Sequence, residues 1–193
     1  MRKATPLARP GKARHIRAMG PSLTPKAIGL ACAVAAGLAL AVALGAENWG
    51  GLIPCPLCLL QRWPYRAAIM LGLLAIILPP RLARVLLVLA FAAFLTETAL
   101  AATHVGVEQG WWQSPLPQCA APQIKGGSLA DRLAQLPARP AKPCDEPTYM
   151  IPGLPVSMAL MNLVYASGCC VLLGAALALG VSAKRARTHE LAG

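Results

Sequence analysis

The chain has 193 residues, of which 56% are hydrophobic and 13% charged, and its mean hydropathy is positive; a soluble domain carries about a quarter charged residues. The formal net charge of +11 does not indicate nucleic acid, because the basic residues are confined to tails and short hairpins, as membrane proteins use them for orientation. Composition therefore argues against a soluble nucleic-acid-binding protein and for a helical membrane protein.

Residues 1–26 hold Arg2, Lys3, Arg9, Lys12, Arg14, Arg17 and Lys26 with no acid. Proline and glycine recur there without helical periodicity, so the segment reads as a disordered cytoplasmic tail able to meet anionic lipid heads. Ala27–Ala46 is an uncharged run of 20 residues, long enough for the roughly 30 Å hydrocarbon core. A signal peptide has an apolar region of about 7–15 residues, so the longer run here reads as a retained helix. A short loop follows, with Trp49 suited to the membrane interface, and then Cys55-Pro56-Leu57-Cys58. The second helix is expected over about 63–80. It is apolar except for Arg66, which is near enough to its end to snorkel outward. Pro64 is tolerable only in a first helical turn, which places the helix start close to the cysteines.

Pro79 to Arg84 forms a tight hairpin, and a third helix runs over about 82–103, interrupted after Arg84 only by Glu97. The segment 104–153 is polar and proline-rich. Within it Ser128 and Asp131 make a capping-box-like start. Leu129, Leu133 and Leu136 then share one face, predicting a short helix lying on the bilayer. The uncharged stretch from Leu154 to Ala183 supplies a fourth helix, about 155–182, ahead of Lys184, Arg185 and Arg187. The fold expected is an all-α four-helix transmembrane bundle, residues 26–183, with external loops at about 47–62 and 104–153 and tails at 1–25 and 184–193.

Four crossings put both termini on one side. That side holds twelve of the Lys and Arg residues against the single acid Glu190, so the positive-inside rule predicts cytoplasmic termini and external loops. Cys32, Cys169 and Cys170 then lie within membrane helices, where a thiol behaves as a small apolar residue. Cys55, Cys58, Cys119 and Cys144 lie outside, two per loop, where an oxidising compartment favours disulfides. A C-x-x-C bridge closes too short a loop to stabilise much through chain entropy, and such pairs are characteristically redox-active. Arg62, one turn beyond Cys58, and the positive end of the second helix both favour a thiolate on Cys58. A four-thiolate zinc site lacks its second knuckle, because Cys119 and Cys144 are 25 residues apart, so no metal is expected. A thioredoxin-like domain would need a βαβ context around its C-x-x-C.

The run Cys55-Pro-Leu-Cys58-Leu-Leu-Gln-Arg62 at the start of a membrane helix resembles the disulfide bond formation protein B (DsbB) family. The segment His104 to Trp112, followed by Cys119 and Cys144, is similar to that family's second loop. The resemblance implies a bacterial inner-membrane oxidoreductase that reoxidises a periplasmic, thioredoxin-fold DsbA-like thiol oxidase and passes the electrons to a membrane quinone, ubiquinone or menaquinone. By the same resemblance Cys55 and Cys58 form the pair that reduces quinone, and Arg62 helps bind it. Cys119 and Cys144 form the pair that takes electrons from the partner, with Cys119 making the mixed disulfide. His104 falls near the family's quinone-side residue.

Glu97 lies seven residues before His104, hence on nearly the same face. An acid inside a membrane helix is costly and often functional; pairing with Arg66 and proton supply to reduced quinone are its two readings. Asn162 reads as an interhelical hydrogen-bonder, and Trp111 and Trp112 as interface anchors. Two rival classes are a quinone reductase of the vitamin K epoxide reductase type, where the C-x-x-C is expected after the other cysteine pair, and a membrane scaffold with structural disulfides.

Overall fold

A computed structural model describes residues 24–119, 127–134, 142–150 and 153–192. The basic amino-terminal tail and Leu136 of the predicted surface helix lie outside the described residues. Among those described, the chain is all-α, with helices α1 (Pro25–Asn48), α2 (Pro56–Ile77), α3 (Pro80–Glu108), α4 (Leu129–Ala134) and α5 (Met158–Ala192) and a 3₁₀ turn at Pro117–Cys119. An isolated antiparallel bridge joins Tyr149 to Ser157 just before α5.

Each entry into a helix is written in the local sequence. Thr24 accepts from the Ala27 N–H at 3.3 Å and Pro25 follows in the first turn, where its missing N–H costs nothing. At α4, Ser128 and Asp131 form the reciprocal bonds of a capping box: Asp131 Oδ2 accepts from the Ser128 N–H at 2.9 Å, and Ser128 Oγ accepts from the Asp131 N–H at 3.3 Å.

The long helices α1, α2, α3 and α5 share a core of Cys32, Ala36, Tyr65, Ala68, Ala90, Phe94, Cys170 and Leu173. Cys32 and Cys170 are filling residues there, as expected of thiols in apolar helices. Small residues set the approach of α1 to α2. A Cβ on Gly29 would lie 2.7 Å from the Gly72 carbonyl oxygen, and one on Gly72 would lie 2.6 Å from the Gly29 carbonyl oxygen. The backbones touch where both residues lack a side chain, as at tightly crossing membrane helices. The outer faces are apolar too: Leu30, Val34, Leu38 and Val42 of α1 are all exposed, which suits lipid and not water.

Three helical stretches are long and apolar enough to cross a membrane: α1, α3 and Met158–Gly180 of α5. Helix α2 has 22 residues, but Gln61, Arg62, Pro64 and Arg66 dilute the apolar character of its first half. The structure also moves three boundaries. Helix α2 starts at Pro56, not near 63, because Cys55 caps it and Pro56 fits the first turn. Pro64 thus sits inside the helix and leaves the Leu60 carbonyl without its backbone donor. Helix α3 continues to Glu108, so His104, expected at the start of a loop, is helical. Helix α5 begins at Met158, three residues later than expected, and runs on to Ala192 through the basic Lys184–Arg187 segment.

Candidate active site

The two cysteine pairs meet at one end of the bundle. Cys55 is the residue that caps α2: its Sγ accepts from the Cys58 N–H at 3.2 Å. The two sulfurs are 2.8 Å apart and both thiols are free. Cys119 and Cys144 are joined by a disulfide, with Cα atoms 5.1 Å apart. Cys55, Leu57, Val107, Cys119 and Cys144 are all buried in a single apolar cluster, with Cys58 and Leu116 packed against it. Residues 64 positions apart, Cys55 and Cys119, are thereby brought together, because the carboxyl end of α3 and the turn after it fold back over the start of α2. Gly106 makes this possible. The indole of Trp112 lies against it so closely that a Cβ there would fall 2.0 Å from the ring, and Trp112 Nε1 donates to the Thr103 carbonyl at 3.1 Å.

The sulfurs of the C-x-x-C pair are not equivalent. The Cys55 thiol is pushed up from its ordinary range, first by the hydrogen bond it makes to Cys58, then by burial and by the charge of its neighbour. The Cys58 thiol is pulled down, first by its hydrogen bond with Cys55 and against its own burial, so Cys58, in the first turn of α2 where the helix end is positive, is the more readily ionised of the two sulfurs.

Arg62 lies one turn further along α2. It is buried, and its Nη2 meets Glu47 Oε2 at 2.6 Å. Glu47 was expected in a loop, but α1 continues to Asn48, so its carboxylate projects from the last turn of a helix. His104 is 3% exposed, with Nε2 at 3.5 Å from Cys55 Sγ and 4.0 Å from Glu108 Oε1. Glu108 in turn accepts from the Ser157 hydroxyl at 2.6 Å.

Cys58, Arg62 and His104 line one cavity of about 270 Å³, walled otherwise mainly by apolar residues of α1, α2 and α5. Gln61 Nε2 and Arg62 Nε are buried donors without a partner among the described residues. Buried donors are ordinarily satisfied, and these two border the cavity. Glu97 stands apart from it. Its carboxylate is fully buried, accepts from Asn162 Nδ2 at 2.7 Å, and is linked to the cavity wall through Asn162, whose Oδ1 accepts from the Tyr65 hydroxyl at 2.6 Å. The predicted alternative partner, Arg66, is exposed and stacks over Trp63 at 5.1 Å. It faces away from the core, so the Glu97–Arg66 pair does not form. Asn162 is the interhelical hydrogen-bonder expected.

The family model for disulfide bond formation protein DsbB matches residues 25–176. The chain belongs to the DsbB family. The uncharacterized protein RP370 of Rickettsia prowazekii is similar, 30% identical over 138 residues that cover 71% of this chain and 78% of that one. No solved structure matches. Membership of the DsbB family carries disulfide oxidoreductase activity in a membrane protein, and it displaces both the vitamin K epoxide reductase and the scaffold readings.

Sequence reasoning picked out Cys55, Cys58, Arg62, Cys119, Cys144 and His104, and this DsbB-family chain gathers all six at one end. It missed Glu47, Glu108 and Ser157 as members of the site. Glu108 carries a usable signal, since it is four residues after His104 and so shares its helical face.

Proposed function

We propose that this protein reoxidises a periplasmic DsbA-like thiol oxidase and delivers the electrons to a membrane quinone. In this reading it is an inner-membrane enzyme with four crossings, both termini cytoplasmic and both cysteine pairs on the periplasmic side. The observation that carries the proposal is the position of the C-x-x-C pair. Cys55 packs against the Cys119–Cys144 disulfide, and Cys58 opens onto a cavity that also holds Arg62.

Electrons enter by thiol–disulfide exchange. A partner thiolate attacks Cys119, the Cys119–Cys144 bond breaks, and Cys144 leaves as thiolate. The partner's second thiol resolves the mixed disulfide and departs oxidised. Cys144 then attacks the sulfur of Cys55 in an oxidised Cys55–Cys58 pair and expels Cys58. This leaving group is favoured, because Cys58 is the sulfur that the helix end and Arg62 stabilise as an anion. Attack by Cys119 on Cys144 restores the loop disulfide and leaves Cys55 and Cys58 as a dithiol, the arrangement seen in the structure.

Closing the Cys55–Cys58 bond again releases two electrons and two protons, and a quinone bound in the cavity supplies the acceptor for both. The residues present fit such a group. The walls are mainly apolar, and Gln61 Nε2 and Arg62 Nε, without a partner among the described residues, are donors of the kind a carbonyl oxygen accepts from. Arg62, Gln61 and His104 would hold and orient it beside Cys58.

Thiol trapping tests the proposal. After reduction of purified protein by a dithiol, all four cysteines should reoxidise when ubiquinone or menaquinone is added and stay reduced without it. Cys58→Ser should still accept electrons at Cys119–Cys144 but should consume no quinone. Reoxidation independent of quinone, or labelling that placed Cys55 and Cys58 on the cytoplasmic side, would overturn it.

A further inference from the structure

The imidazole beside the C-x-x-C pair adds a third ligand atom to a set that the sequence alone leaves at two. Cys55 Sγ, Cys58 Sγ and His104 Nε2 all lie within 4.8 Å of one another. The residues come from two helices: the cap and first turn of α2, and the carboxyl end of α3. Cys55 and His104 are nearly inaccessible, at 4% and 3% exposure. The expected obstacle to a metal, that Cys119 and Cys144 offer no second knuckle, does not apply here, because His104 takes the place of that knuckle.

We propose that the reduced Cys55–Cys58 dithiol and His104 together bind one zinc(II) ion, and that the bound ion holds the pair reduced and idle. Three features of the site favour this. Two thiolates and one imidazole are donors that zinc selects. Three protein ligands leave one coordination position, and Cys58 and His104 both border the cavity into which it would face. Charge also balances: the two thiols release their protons to solvent as zinc(II) binds, and the resulting thiolates neutralise it, while the nearby guanidinium of Arg62 is already paired with Glu47. A buried site then gains an ion without gaining net charge.

The site exists only in one redox state. An oxidised Cys55–Cys58 disulfide offers no thiolate, so binding and bond closure exclude each other. The ion thus acts as a brake that engages when acceptor is scarce and the dithiol persists. This timing rests on the proposed redox cycle; the ligand set itself does not.

Cobalt(II), as a coloured stand-in for zinc, provides the test on the full-length protein in detergent, reduced with a phosphine under nitrogen. The Cys119→Ser/Cys144→Ser background removes the loop thiols. One equivalent per chain should produce thiolate-to-cobalt and tetrahedral visible bands that zinc bleaches. The bands should be absent from protein oxidised beforehand and from Cys58→Ser. Binding should weaken about tenfold or more in His104→Ala, as when a metal site loses an orienting or ligating group, and should persist in Arg62→Ala. In the wild-type chain zinc should protect Cys55 and Cys58 from maleimide, a readout that needs no variant. Bands that survive oxidation or Cys58→Ser, binding unchanged in His104→Ala, or no protection would overturn the proposal. Cobalt binding without any quinone reduction would sink the electron-transfer reading and leave this one standing; the converse result would do the opposite.

Discussion

The Glu47–Arg62 contact offers the sharpest single perturbation. Arg62 Nη2 and Glu47 Oε2 are 2.6 Å apart, with side chains 10% and 32% exposed. Unit charges about 4 Å apart at an effective dielectric near 20 attract by roughly 4 kcal/mol. Desolvation of the guanidinium and the partial exposure of the carboxylate cancel much of that. The net effect falls between an exposed pair, about 0–1 kcal/mol, and the loss of one partner from a buried pair, about 3–5 kcal/mol. A value of about 1–2 kcal/mol corresponds to a factor of about 5–30. Glu47→Ala should therefore raise the KM for quinone about 5–30-fold, because Arg62 loses the partner that aims it along the cavity wall. Glu47→Gln, which keeps an acceptor oxygen, should fall between this and the wild type. The assay is steady-state quinone reduction at varied quinone, alongside single-turnover oxidation of the partner with no quinone present. The second half-reaction should be unchanged. An unaltered KM, or equal losses in both half-reactions, would refute the positioning of Arg62 by Glu47.

Three further outcomes follow from the packing and the caps. Gly72→Ala places a Cβ 2.6 Å from the Gly29 carbonyl oxygen and should destabilise the bundle by about 1–3 kcal/mol, read as a lower thermal midpoint; an unchanged midpoint would show that the helices do not cross there. Asn162→Ala strands the buried Glu97 carboxylate and removes the acceptor of the Tyr65 hydroxyl, at a cost of about 1–3 kcal/mol, whereas Asn162→Gln should recover part of it. Asp131 is held below the usual aspartate range by its hydrogen bonds from Ser128. Its contribution to α4 is therefore present above the ordinary aspartate value and lost as pH falls through the lowered one. Hydrogen exchange in α4, corrected for intrinsic rate, should rise in that acid window in the wild type and show no such step in Asp131→Asn.

The sequence showed the class and the chemistry more readily than the geometry. The long apolar runs made α1, α3 and α5 legible, since composition alone decides whether a segment suits lipid. The C-x-x-C and Arg62 were legible because their spacing is itself the signal. Pro64 misled the reading of α2: a proline inside a helix is unfavourable locally, and only the packing of the whole bundle holds it there. Glu47 was read as a loop residue because the apolar run ends at Ala46, although the helix continues for two more residues to Asn48. The contacts of His104 with Cys55, and of Ser157 with Glu108, join residues 49 positions apart in each case. No local pattern encodes such pairs, and they appear only once α2, α3 and α5 are assembled.

The burial of Cys55, Cys119 and Cys144 under one apolar cap has a bearing on selectivity. Small reductants such as glutathione diffuse everywhere in an aqueous compartment, and an open sulfur would let them drain the circuit. On the proposed cycle the conductor is sheathed: these three sulfurs are closed to a tripeptide, and reaching them takes a partner that binds with enough contact area to displace what covers them. Insulation of this kind would let the chain stay wired to one client while surrounded by a vast excess of competing thiols.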